Sequence, residues 1–206
     1  MDNNEVNTEQ IILEAAEAEF LEKGYGNAKT VAIAQRAGVS HSMLHYYFRT
    51  KEQLFQKIFK EKVQALTQMF SVVFEQNTDF KEILRRIMQT QFQFLAHNPQ
   101  LPMFIIREIL SNKENREWAI TTFFPHLFPF LSALEKMLNT EIAKGSVRPI
   151  AIQNLLMNIL SINISTFIAL PVLKENFLFE KAEMMENFLN ERCESNVQFI
   201  LNALRP

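Results

Sequence analysis

The chain has 206 residues, of which 48% are apolar and 21% charged, and its formal net charge is −2. A composition this apolar and this nearly neutral excludes disorder and allows a sizeable core, while four glycines and seven prolines are too few for the turns of a sandwich or barrel. A single cysteine, Cys193, excludes an internal disulfide.

The polar, acidic start MDNNEVNTEQ is unlike a secretory signal, so a cytoplasmic location is expected. Helical periodicity then runs through the chain. A first helix is expected from about Asn7 or Thr8, where Asn7 and Gln10 have capping-box spacing. Its apolar face is Ile12, Leu13, Ala16, Phe20 and Leu21, and it stops at Lys23-Gly24-Tyr25-Gly26, where glycine permits a left-handed cap. Thr30 suits an N-cap for a short helix over about 31–37; Gly38 ends that helix, and Ser40 is placed to cap another over about 41–47. Thr50 and Gln53 form a second capping-box pair, opening a long helix with Leu54, Phe55, Ile58 and Val63 on its apolar side. Further helices are expected near 79–97, 100–112, 114–143, 150–170 and 178–204. Asp79 with Glu82, Asn98 before Pro99, and Pro149 mark starts, and Gly145 and Pro171 mark stops. There is no alternating strand pattern, so the fold class is all-α.

Charge is distributed unevenly. Residues 1–34 carry seven acids and two cations, whereas residues 35–60 carry five cations (Arg36, Arg49, Lys51, Lys57, Lys60) and one acid, Glu52. A basic island in an acidic chain points to a polyanionic partner. Between Arg148 and Lys174 no charge appears, a length that could span a bilayer. Amides and hydroxyls from Gln153 to Thr166 interrupt it, and they are costly in hydrocarbon. A buried helix is expected and no membrane partner.

The stretch AGVSHSMLHYYFRTKEQL, residues 37–54, carries the functional signal. Two helices of about seven residues cannot be stable alone because nucleation is costly, so they must pack on each other and on the first helix. Ala37-Gly38-Val39 supplies a small residue at the crossing, a glycine for the turn and an apolar plug. This is the sequence form of a helix-turn-helix, whose second helix enters the DNA major groove. Leu44 and Phe48 are four apart and face the core, leaving Ser40, His41, Ser42, Met43, His45 and Tyr46 toward the groove and its rims. His41 and His45 share a helical face, but Ser42 stands where a zinc-binding H-E-x-x-H would need glutamate. No metal and no cofactor are expected.

TVAIAQRAGVSHSMLHYYFRTKEQL, residues 30–54, resembles the DNA-binding signature of tetracycline-repressor-like (TetR family) regulators. Those read T-x-x-[IL]-A-x-x-A-G-V-S-x-G-x-L-Y-x-[YH]-F-x-[ST]-K-E-x-L. IILEAAEAEFLEKGY, residues 11–25, is similar to the family's first helix, so about 50 consecutive residues match in order and spacing. Ser42 replaces the usual glycine and His45 the usual tyrosine. Both fall where DNA would be touched, so they bear on the operator sequence rather than the fold. The resemblance implies a three-helix DNA-binding domain over residues 6–66, with its helix-turn-helix at about 30–49, and a helical ligand-binding and dimerisation domain over 67–206. By position, Thr30, Tyr47 and Lys51 resemble the family's phosphate contacts, and Ser42, Met43, His45 and Tyr46 are placed for base edges or thymine methyls.

The C-terminal two-thirds carries no further motif, but its aromatics are dense, and Pro125 and Pro129 are expected to kink their helix. Phe92, Met103, Phe104, Trp118, Phe124, Asn158, Asn163 and Phe167 are candidates to line a site for an apolar or amphipathic effector. An ordinary aromatic core is the competing reading of the same residues. Helices 150–170 and 178–204, with Leu155, Ile159, Ile162, Phe188, Phe199 and Leu201, suit an intersubunit four-helix bundle. The expected protein is therefore a homodimeric regulator, a repressor that a small effector releases from a palindromic operator on double-stranded DNA. The alternatives are a regulator of this kind without an effector, and an all-α enzyme. No nucleotide loop, zinc signature or catalytic triad order supports the enzyme.

Overall fold

The computed structural model describes residues 3–73, 79–107, 113–175 and 182–206. The described residues form helices α1 (Asn3–Asn27), α2 (Thr30–Arg36), α3 (His41–Tyr47), α4 (Lys51–Val73), α5 (Phe80–His97), α6 (Leu101–Ile105), α7 (Lys113–Ala143), α8 (Ile152–Glu175) and α9 (Ala182–Ala203). The all-α expectation holds. By their contacts they divide into two units: the residues up to Ala65 with Phe104–Ile120, and Leu66–Met103 with Thr121–Pro206. The expected 67–206 domain is thus interrupted, because Phe104 and Trp118 pack on Phe55, at ring-centroid distances of 5.5 and 6.5 Å.

In the first unit α1 packs on α2 and α2 on α3. Ile12, Phe20, Ile33, Leu44, Leu54 and Phe55 are fully buried there. Near the end of α1, Gly24 lies at φ 79° and ψ 158°, a non-helical break inside the helix. In the second unit α5 packs on both α8 and α9. One apolar core joins Leu84 and Met88 of α5, Leu134 and Leu138 of α7, Leu155 and Ile159 of α8, and Val197 and Ile200 of α9.

Three local expectations change. Thr30 is the first residue of α2, and Lys29 is its N-cap without a side-chain bond, because the chain turns helical one residue early. Helix α8 runs through Pro171 to Glu175; the proline removes one donor, but Phe167 and Leu170 are buried in the preceding turn and hold the helix there. Leu155 and Ile159 face the core rather than a second subunit, and Asn158 points outward to solvent. Helix α8 is long and apolar enough to cross a membrane by length and composition alone, yet its buried side is a wall of the second unit's core. The expected segments 108–112 and 178–181 lie outside the described residues.

Cys193 is half-buried on α9. Burial, with a smaller push from the Glu194 carboxylate, holds its thiol up at about 11. At pH 8 its thiolate fraction is then roughly a hundredfold below that of an exposed cysteine. Iodoacetamide should alkylate the native protein more slowly by that order and the denatured protein at the ordinary rate; equal rates would contradict this packing.

Candidate nucleic-acid interface

The turn between α2 and α3 is built as the residues dictate. Gly38 takes φ 67°, the Val39 N–H donates to Ala34 O at 3.0 Å and the Gly38 N–H to Gln35 O at 3.1 Å. This is a Schellman closure, which favours glycine at that left-handed position. Ser40 then caps α3, its Oγ accepting from the Met43 N–H at 3.1 Å. Leu44 is fully buried and Phe48 nearly so, which fixes the roll of α3 about its axis. The other face follows from that roll. Ser40, His41, Ser42, Met43, His45 and Tyr46 are exposed, Tyr46 by 75%.

Several of these side chains hold one another. The Thr30 hydroxyl lies 3.1 Å from Nε2 of His41, tying the start of α2 to the start of α3. The His41 and His45 rings meet edge to face at 4.4 Å. Tyr47 is half-buried, with its ring 5.3 Å from that of Tyr46.

Lys51 is placed otherwise than the resemblance implies. Its ammonium donates to the carbonyls of Tyr25 at 2.6 Å, Ala28 at 3.0 Å and Gly26 at 3.3 Å. It also lies 4.6 Å from the centroid of the Tyr25 ring. An ammonium has three protons, and all three are engaged by the turn between α1 and α2. Lys51 is therefore a scaffold of that turn, and its charge is not aimed outward at a phosphate.

Most of the basic island is also engaged within the protein. Arg36 makes a bidentate pair with Glu22 at 2.8 and 2.7 Å and lies 3.8 Å from buried Glu19. Hydrogen bonding to Arg36 holds the Glu22 carboxyl below its ordinary range and raises the Arg36 guanidinium. Lys57 pairs with Glu9 and Glu61. Among the described residues, the side chains of Lys29 and Arg49 have no hydrogen-bond or ion-pair partner, and they flank α2 and α3 on either side. Sequence reasoning missed Lys29 and the exposed Val31 on α2. The signal was present: residues 23–51 contain no aspartate or glutamate at all.

The expected effector residues do not form one group. Phe104 and Trp118 belong to the first unit, where Trp118 also lies 5.8 Å from Phe59. Met103 is half-exposed and Asn158 exposed, while the Phe124 side chain lies outside the described residues. Phe92 and Phe167 do meet, with centroids 5.0 Å apart. Beside them, buried Asn163 donates to Gln91 Oε1 at 2.9 Å and Met88 O at 3.1 Å, and accepts from Asn196 Nδ2 at 3.0 Å. Asn196 Oδ1 is buried with no partner, the one such side-chain atom among the described residues.

Residues 12–58 match the family model of bacterial regulatory proteins, tetR family. The match takes in α1 from Ile12, both short helices and the start of α4, the segment that carries the helix-turn-helix. The chain is 25% identical over 137 residues to the fatty acid metabolism regulator protein of Bacillus subtilis, covering 66% of this chain and 69% of that one. It is 31% identical over 91 residues to the HTH-type transcriptional activator FasR of Mycolicibacterium smegmatis, covering 44% of this chain and 41% of that one. Among solved structures, FadR from Bacillus subtilis in complex with stearoyl-CoA superposes with a TM-score of 0.67 at 23% identity, covering 95% of this chain and 99% of that one. The chain is thus similar to proteins named as regulators, over its DNA-binding segment in the family model and over most of its length in the fold. Regulators of this family bind DNA and dimerise.

Replacing Lys51 by methionine leaves three carbonyls without their donor and should lower stability by about 1–3 kcal/mol, read as a fall in Tm. Arg49→Ala removes an unpaired surface cation and should change stability by no more than about 0.5 kcal/mol. Equal effects of the two changes would show that Lys51 does not carry the turn.

Proposed function

We propose that this regulator is a cytoplasmic homodimeric repressor whose two α3 helices read a palindromic operator and which an amphipathic acyl ligand, a long-chain acyl-CoA thioester, releases from DNA. The observation that carries the DNA reading is the exposed face of α3. It offers hydroxyl, imidazole, thioether and phenol groups, carries no acid, and is flanked by the unpaired cations Lys29 and Arg49. Ser42, Met43, His45 and Tyr46 read base edges and thymine methyls. Lys29, Arg49, Thr30 and the Tyr47 hydroxyl meet phosphates, and Ser40 and His41 set the approach of the α3 N-terminus.

Release by an acyl ligand is supported by the two fatty-acid-related neighbours, one of them bound to stearoyl-CoA. Within this chain, the Phe92–Phe167 pair and the Asn163–Asn196 amides are both buried in the second unit, so its interior combines apolar rings with amide groups. Release requires only that the ligand bind a DNA-incompetent state better. Repression is the simplest output of a dimer occupying a promoter. The relative named as an activator makes the sign a matter for measurement.

Dimerisation is supported by α8. It has no charged residue before Lys174, yet only 33% of its most apolar stretch is buried. Met157 is 60% exposed, Phe199 of α9 64%, and Leu160 and Ile168 also face out. An uncharged helix face left in water is an interface waiting for cover, and a second copy covers both helices with a four-helix bundle.

The purified protein should bind the intergenic DNA beside its own gene saturably, with affinity falling as salt rises. Arg49→Ala should reduce the slope of log K against log salt by roughly one per subunit. Stearoyl-CoA should weaken that binding, and deletion of the gene should raise transcription from the bound promoter. Salt-insensitive or unsaturable binding would end the DNA reading, and an unaltered affinity with stearoyl-CoA would end the acyl reading. Phe199→Lys combined with Met157→Lys should raise the dimer dissociation constant about a hundredfold or more in sedimentation equilibrium. A double variant that remains as dimeric as the parent would place the interface elsewhere.

A further inference from the structure

Helix α1 ends without a cation of its own: its last turn holds no basic residue, although a helix C-terminus carries partial negative charge on its carbonyls. Two cations from distant positions serve instead. Lys51 takes the carbonyls of Tyr25, Gly26 and Ala28. Arg107, which lies far outside the matched DNA-binding segment 12–58, donates from Nη2 to Phe20 O at 3.0 Å.

The seat of Arg107 is shaped by a glycine. A Cβ at Gly24 would stand 2.9 Å from Cζ, 3.0 Å from Nε and 3.2 Å from Nη2 of Arg107. The guanidinium plane thus lies directly on the backbone of Gly24, at the point where φ is 79° and α1 breaks. Gly24 is needed twice, for its conformation and for the closeness of the guanidinium. The segment that carries Arg107 is held to the same unit by the rings of Phe104 and Trp118 on Phe55. Phe55 also touches Phe20, at 6.1 Å between ring centroids.

We infer that Arg107 is a positioning residue for DNA binding: seated on Gly24, it fixes the end of α1 and so the point from which the chain enters α2. The link is short. Lys51 holds three carbonyls between Gly24 and Thr30, and Thr30 is hydrogen-bonded to His41 of α3. A cation at Phe20 O and a cation at Tyr25–Ala28 therefore hold the two sides of the Gly24 break, and the register of the DNA-reading face depends on both. Arg107 itself touches no DNA. This inference rests on the DNA-binding reading proposed above.

The test compares wild type, Arg107→Ala, Arg107→Lys and Gly24→Ala for operator affinity across a salt series, well below the lowest Tm. Amide hydrogen exchange over residues 20–30 is followed in the absence of DNA. Arg107→Ala should weaken operator binding about tenfold with the salt slope unchanged, and should speed exchange in residues 20–30. Arg107→Lys should recover part of both, because an ammonium still reaches the carbonyl, and Gly24→Ala should act like Arg107→Ala by lifting the guanidinium off its seat. Unchanged affinity in Arg107→Ala would overturn the inference, and so would a salt slope lower by about one per subunit, since that would make Arg107 a phosphate contact. If wild type itself binds no operator, the DNA-binding reading fails, and the exchange of residues 20–30 still decides whether Arg107 holds the turn.

Discussion

The exposed face of α3 depends on how one helix end is held. Helices α2 and α3 have seven residues each, below the length at which a helix stands in water, so their geometry is borrowed. Leu44 and Ile33 attach them to the core, and the Ser40 cap and Gly38 turn fix their mutual angle. Their entry point is set by the Lys51 ammonium on three carbonyls. Hydrogen bonds from a charged donor to backbone carbonyls are among the stronger single contacts a small domain has. The lysine stabilises the protein more as a joint than it would as one more surface charge, and this accounts for its half-buried place on the Tyr25 ring.

Much of this was legible from residues alone. The Ser40 cap, the Asp79 cap of α5, the glycine turn at 38, and the division of α3 into a Leu44–Phe48 side and an exposed side all follow from local chemistry, and the structure has them. What was not legible depended on contacts between distant residues. Lys51 reads as a phosphate ligand until the carbonyls of residues 25–28 are placed beside it. Phe104 and Trp118 read as pocket aromatics until Phe55 is found under them. Asn158 and Asn163 are five apart on α8; spacing says they differ in direction but not which one is inside, and the hydrogen bonds to Met88 and Gln91 decide it.

Helix α8 shows how composition and burial can disagree usefully. Its lack of charge suggested a buried helix, and its inner side does build the core with α5, α7 and α9. Its outer side is equally uncharged but exposed. For a helix in water on one side, charged residues on that side carry no penalty and improve solubility, so their absence over a full helix length is a physical statement about what that side meets. The amides and hydroxyls on it, Asn154, Asn158, Ser161 and Ser165, suit close packing against a like surface better than they suit lipid.

The charge pattern bears on why that face matters to DNA binding. Arg36 and Lys57 are neutralised by acids of the same unit and Lys51 is held by carbonyls, so one subunit offers few free cations to a duplex. Affinity from phosphates scales with the number neutralised, and a single α3 spans only a few base pairs. One subunit alone would therefore hold DNA weakly and with little dependence on sequence. In the dimer proposed through α8 and α9, phosphate contacts and base contacts would double together, and the second α3 would bind at the high local concentration that the first provides. On that proposal the sparse positive charge would keep non-specific attachment low while the symmetric pair supplied the operator affinity; a monomer with this surface would have neither enough charge to stay bound nor enough bases to choose a site.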